Sequence, residues 1–169
     1  MILFKAIHSN YVSTWDKYKE TTSFKNGARW NSPGVPAMYT STNPQNAMLE
    51  IANYINSPAM VNKLYRIAVF EFPSLRLHKI DLPELPSNWY DISKPAKVKL
   101  VGDSYLKNAK YDGIQVPSIT INRDIATHPI NAIREAVYAN VVVNLDTIGV
   151  GNIKLIDSYS PVYSSNMFK

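Results

Sequence analysis

The chain has 169 residues, with a hydrophobic fraction of 46% and a charged fraction of 18%, ordinary for a soluble globular protein and enough for one domain with a buried core. It contains no cysteine, which excludes disulfides, thiolate nucleophiles and cysteine-ligated metals, and it has no long apolar run of the kind that spans a membrane. The net charge is +5, but the basic residues are scattered, so the basicity suits a pocket for an anionic small molecule or an acidic partner as well as a solvated surface.

In chain order, Met1-Ile2-Leu3-Phe4-Lys5-Ala6-Ile7 is too short an apolar stretch for a signal peptide and meets a lysine early, so it reads as a first strand. Further strands are predicted at 37–41, 64–72, 76–80, 113–116, 118–122, 141–145 and 152–157; the run Val141-Val142-Val143 is too β-branched to prefer a helix. A helix is predicted at 44–57, with Asn43 as N-cap and Pro44 in the first turn, where its missing N–H leaves no bond unmade. Met48, Ile51, Ala52 and Ile55 share its apolar face, and Ser57-Pro58 ends it. Glu50 lies off that stripe, on the flank of Ala47 and Tyr54, where a cleft would begin. Prolines 73, 83, 86 and 95 mark a long irregular excursion. Shorter helices are predicted at 103–110 and 130–139, and Gly149-Val150-Gly151 reads as a turn. Strands and helices without regular alternation predict an α+β fold, a single domain over 1–169.

Few residues point to chemistry. His8, His78 and His128 are far apart and form no ligand pair, so each reads as a structural histidine and no metal site is expected. The dinucleotide and P-loop glycine patterns are absent. Ser118, in Val116-Pro117-Ser118, lacks a nucleophile elbow and suits a hydrogen-bonding role better than attack. Asp103 and Ser104 read as a helix cap. What stands out is Gly27-Ala28-Arg29-Trp30-Asn31-Ser32-Pro33-Gly34, followed by Tyr39 and Glu50. A guanidinium fork in a Gly/Pro-rich loop suits a diphosphate, an aromatic a ring, and a carboxylate a sugar hydroxyl, which together fit a nucleotide. The competing reading of Arg29 is structural, stacked on Trp30 and paired with a carboxylate.

These residues carry a resemblance to the RES-domain toxins, a family named after an Arg, a Glu and a Ser. The matching blocks are Gly27-Ala28-Arg29-Trp30-Asn31 through Pro33-Gly34, Pro36 and Tyr39-Thr40-Ser41; Ala47 to Glu50; Gly102-Asp103; Val116-Pro117-Ser118; Asn140 to Asn144; and the aromatic tail Tyr163–Phe168. The chain departs from the family pattern in Ala28, in Tyr105 where a tryptophan is usual, and in extra residues around 124–140. The resemblance implies an ADP-ribosyltransferase-like mixed β core with flanking helices. It implies a bacterial, cytoplasmic toxin that consumes NAD+ by hydrolysis or phosphorolysis, or that transfers ADP-ribose to a protein. NAD+ is then substrate, and no prosthetic group is implied. The implied catalytic residues are Arg29, Glu50 and Ser118, and the implied substrate-binding residues are Arg29, Trp30, Tyr39, Thr40 and Glu50. In this scheme Arg29 clamps the diphosphate or the ribose, Tyr39 packs on the nicotinamide, Glu50 stabilises the ribose cation, and Ser118 positions Arg29 or the ribose. The implied partner is a cognate Xre-type helix-turn-helix antitoxin, with room for a homodimer within the complex and no direct nucleic-acid or membrane binding. Val162, Tyr163, Met167 and Phe168 are candidates for that interface, or for a tail packed on its own domain. From another class, a non-catalytic, basic nucleic-acid-binding module stays open as an alternative.

Overall fold

The segments richest in β-branched and aliphatic residues assemble into one sheet. A computed structural model describes all residues except Ile92, Lys94, Pro95, Ile121, Asn122, Ser165 and Met167–Lys169. Strands β1 (Ile2–His8), β2 (Ala37–Ser41), β3 (Tyr65–Glu71), β4 (Leu77–Lys79), β5 (Gly113–Val116), β6 (Asn140–Asn144) and β7 (Lys154–Tyr159) are ordered β4-β5-β6-β2-β1-β3-β7. β4 and β5 run parallel and the other pairs antiparallel, so the sheet is mixed. The helices are α1 (Thr22–Asn26), α2 (Pro44–Ala52), α3 (Pro58–Leu64), α4 (Ala96–Leu106), α5 (Asn131–Val137) and α6 (Leu145–Ile148). This is the α+β architecture expected, a mixed sheet with flanking helices, consistent with an ADP-ribosyltransferase-like fold.

Because side chains alternate along a strand, the central strands feed a core on each face. Leu3, Met38, Phe70, Val141 and Val143 pack on one side, joined by Leu145 and Ile148 of α6. Trp30, Ala37, Ile114, Val116 and Val142 pack on the other, joined by Val98 and Leu106 of α4. Burying each large aliphatic side chain in these cores contributes about 1.5–3 kcal/mol.

Three local expectations are corrected. The helix predicted at 44–57 stops at Ala52, and Ser57-Pro58 begins α3 as N-cap and first-turn proline: the same pair that forbids continuation also favours initiation. The helix predicted at 103–110 starts earlier, at Ala96, so Asp103 lies inside it and is not a cap. Residues 118–120 do not form a strand; the remainder of that predicted strand, 121–122, lies outside the described residues, as does Pro95 of the irregular excursion. Asn43 does cap α2, its Oδ1 accepting from the Asn46 N–H at 2.8 Å. Among the described residues, no helix is long and apolar enough to cross a membrane.

Candidate active site

A cleft of about 230 Å³ opens on the face of the sheet beneath α2, bordered by β1, β2, α2, Asn140 and the loop carrying Arg29. Glu50, Ala47 and Tyr54, the flank singled out in the sequence, all line it.

Glu50 is held on one side only. Its Oε1 accepts hydrogen bonds from Ser118 Oγ at 2.8 Å and from Asn140 Nδ2 at 2.6 Å. Among the described residues its Oε2 has no such partner. Both donors are themselves fixed. Ser118 is fully buried and its Oγ lies 2.7 Å from Thr120 Oγ1. Asn140 Oδ1 accepts from Asn46 Nδ2 at 2.7 Å and from Ser41 Oγ at 3.2 Å. The carboxylate therefore sits at the end of a polar network that sets its orientation. Ser118 thus contacts Glu50, and neither Arg29 nor an attacking position is where its hydroxyl is engaged.

Arg29, buried at 7% exposure, donates through Nη1 to the Trp89 carbonyl at 2.7 Å and through Nη2 to the Asp91 carbonyl at 2.9 Å. These acceptors lie in the proline-rich excursion, which thereby aims the guanidinium. Among the described residues Arg29 forms no ion pair with a carboxylate, and it lines the cleft with Glu50. Burial lowers its pKa from the ordinary value, opposed by the negative potential of Tyr54 and Glu50.

The other expected residues divide. Tyr39 lines the cleft, and its hydroxyl is enclosed: it accepts from the Trp30 N–H at 2.9 Å and donates to Asn31 Oδ1 at 2.7 Å. Burial pushes that phenol well above its ordinary pKa. Trp30 belongs to the core, 2% exposed, and does not border the cleft. Thr40 borders it, while its hydroxyl donates to the Val141 carbonyl at 2.7 Å.

The Gly102-Asp103 block holds the Arg29 loop from behind. A Cβ on Gly102 would stand 2.0 Å from the Trp30 carbonyl oxygen, so only glycine lets α4 approach. Asp103 Oδ1 accepts from the Ser32 N–H at 2.9 Å. The segment around 124–140 forms a 3-10 turn at Arg123–Thr127 and α5, then delivers Asn140 at the start of β6.

Three cleft residues escaped the sequence reading. Asn140 enters the sequence analysis only within the Asn140 to Asn144 block of the resemblance, with no role of its own. Tyr54, 58% exposed, was seen only as a neighbour of Glu50 on the helix flank. Lys5 gave one signal, a cation in an apolar strand. The histidines lie elsewhere: His8 Nδ1 accepts from the Asn10 N–H at 3.3 Å, His128 Nδ1 from the Ile130 N–H at 3.1 Å, and His78 stacks on Tyr105. Among the described residues no group of three or more His, Cys, Asp or Glu could hold a metal ion. Of the aromatic tail, Tyr163 is buried against α2 and α3, donating to the Met48 carbonyl, and Val162 is exposed. Met167 and Phe168 lie outside the described residues.

The family model described as the RES domain matches residues 2–144. A protein of Photorhabdus laumondii named "Toxin Res" is 26% identical over 122 residues, 72% of this chain and 76% of the relative. A second "Toxin Res", from Pseudomonas putida, is 25% identical over 108 residues, 63% of this chain and 72% of the relative. With the family match running from β1 to the end of β6, through every block that builds the cleft, the chain belongs to the RES-domain family.

Proposed function

We propose that this chain is a bacterial toxin that cleaves NAD+ at the nicotinamide–ribose bond. The observation that carries the reading is the one-sided fixing of Glu50, with Oε1 held by Ser118 and Asn140, in a cleft that also presents Arg29.

Breaking the C1′–N1 bond sends its electron pair to the nicotinamide, which leaves neutral. The positive charge passes to the ribose as an oxocarbenium-like cation. A preorganised carboxylate lowers the energy of that charge without reorganising during the step. Among the described residues Glu50 is the only carboxylate lining the cleft, and its Oε2, which accepts no hydrogen bond from them, is the oxygen offered to the ribose. Arg29 offers its remaining N–H groups to the diphosphate. The Tyr39 ring, with its hydroxyl enclosed, packs against the leaving nicotinamide. Attack by water or phosphate at C1′ completes hydrolysis or phosphorolysis, with the acceptor's proton released. NAD+ is the substrate throughout, and the reading calls for no prosthetic group.

The family match and the names of the two relatives support the toxin role. A toxin that drains NAD+ acts on the cytoplasmic pool and needs restraint in its own cell; an Xre-type helix-turn-helix antitoxin, binding as part of a larger complex, is the partner this reading implies.

The test is NAD+ incubated with the purified chain, followed by proton NMR or HPLC, beside Glu50→Gln. The amide can still accept from Ser118 and Asn140, so the fold is kept while the charge is removed. Nicotinamide release should fall at least about 100-fold in the variant. Intact NAD+ with the parent chain, folded and supplied with phosphate, would sink free NAD+ cleavage. A labelled protein band in a lysate would then favour ADP-ribosyl transfer.

A further inference from the structure

Lys5 breaks the pattern of its strand. Leu3 and Ile7, its neighbours on the same face of β1, are buried core residues. A lysine between them needs a reason. The sheet supplies one, because β1 pairs with β3 over seven residues but with β2 only at Phe4↔Ser41. Continuing that register would set Ala6 opposite Tyr39. Instead Lys5 Nζ donates to the Tyr39 carbonyl at 3.1 Å, so the ammonium occupies the place of the missing ladder bond. The two central strands part there, and the opening is the floor of the cleft, which Lys5 lines together with Phe4 and Ala6.

The ammonium is poorly compensated. Lys5 is half-buried and lines the cleft. It makes that one hydrogen bond, to a neutral acceptor, and forms no ion pair among the described residues. Desolvation brings its pKa down to about 8. A buried cation without a counter-ion is costly, and a neutral donor such as glutamine could satisfy the Tyr39 carbonyl if capping the strand were its whole purpose. The charged groups facing the opening are Arg29 and Glu50, with the phenols of Tyr39 and Tyr54. Glu50 is committed to Ser118 and Asn140 through Oε1, and Arg29 adds positive charge.

We propose that Lys5 is a second phosphate-binding residue of the cleft, its ammonium in the β1–β2 opening taking a diphosphate oxygen of the dinucleotide. The inference rests on the reading of the cleft as an NAD+ site. Arg29, oriented by the Trp89 and Asp91 carbonyls, and Lys5, oriented by the Tyr39 carbonyl, then hold the diphosphate from two different elements.

The experiment is calorimetric binding in the Glu50→Gln background, where turnover is removed, with NAD+, nicotinamide riboside and inorganic pyrophosphate as probes. Lys5→Met should weaken NAD+ and pyrophosphate about 10- to 100-fold and leave the phosphate-free riboside unchanged, while Lys5→Arg should stay within a few-fold of the parent. Equal NAD+ affinity in folded Lys5→Met overturns the inference. If NAD+ does not bind at all, the NAD+ reading fails on its own: pyrophosphate binding that depends on Lys5 still supports the anion site, and pyrophosphate that ignores Lys5 or does not bind overturns it. Should Lys5→Met not fold, the 15N resonance of Lys5 Nζ in the Glu50→Gln chain decides, shifting on addition of pyrophosphate or overturning the inference by staying still.

Discussion

Ser118 and Glu50 stand 68 residues apart in the chain, yet the serine hydroxyl donates to the carboxylate at 2.8 Å. Asn140 donates to the same oxygen from β6. Ser118→Ala and Asn140→Ala should each reduce nicotinamide release about 10-fold, through kcat rather than KM, since each removes one restraint on the carboxylate. The double variant should lose more than the product of the two, because one donor still holds Glu50 and neither leaves it free to turn. Steady-state kinetics of the four proteins checks this; strictly multiplicative losses would count against shared positioning.

The α4 contact behind the Arg29 loop makes a stability prediction. Gly102→Ala must displace the Trp30 backbone, and should destabilise the fold by about 2–4 kcal/mol. Asp103→Ala leaves the Ser32 N–H without its acceptor and should cost about 1–3 kcal/mol. Urea unfolding of both variants is the measurement, and parent-like midpoints would show the loop held by other contacts.

Tyr39→Phe separates the ring from the hydroxyl. The ring remains in the cleft, while the Trp30 N–H and the buried Asn31 Oδ1 each lose a partner. A loss of about 1–3 kcal/mol in stability is expected, with reduced activity as the Arg29 loop loosens. Unchanged melting with unchanged turnover would contradict the role given to the phenol.

Lys5 sets a pH dependence with a definite sign. Its folded pKa, about 8, lies below the ordinary 10.5, so the unfolded chain binds more protons between the two and stability rises with pH across that window. The unfavourable burial of the charge is fully present below about pH 8 and is relieved above it. NAD+, whose diphosphate diester keeps a constant charge across this range, binds the charged form in the Glu50→Gln chain, so its affinity should fall as pH rises through about 8 and stay flat when Lys5→Arg is added. Burial raises the pKa values of Tyr39 and Tyr54, which keeps those phenols from titrating in the same range. Calorimetry across that pH range checks it; a flat profile in the Glu50→Gln chain would be the contrary result.

Much of the local structure was legible. Asn43-Pro44 announced the start of α2, the valine run β6, and the flank of Glu50 the edge of a cleft. The resemblance carried by the Arg29, Glu50 and Ser118 blocks matched the family found by comparison. Less was legible where one signal serves two purposes. Ser57-Pro58 ends one helix by starting another, and Asp103 has the composition of a cap but the place of a clamp. Lys5 shows in the sequence only as a lysine within the first strand; its place beside the Tyr39 carbonyl follows from β2 parting from β1 there.

Short-range forces, legible residue by residue, settle the caps, the β-branched strands, the absence of thiol chemistry and the Arg–Trp loop as the place to look. What each group there faces depends on long-range packing. Glu50 meets Asn140 across 90 residues, Arg29 meets the Trp89 carbonyl across 60, and Lys5 meets the Tyr39 carbonyl across 34. Those distances depend on strand register and on how α2 and α4 dock, which are set by the packing of two cores at once. Local propensity acts over a few residues, whereas an active site is assembled by contacts that close long loops.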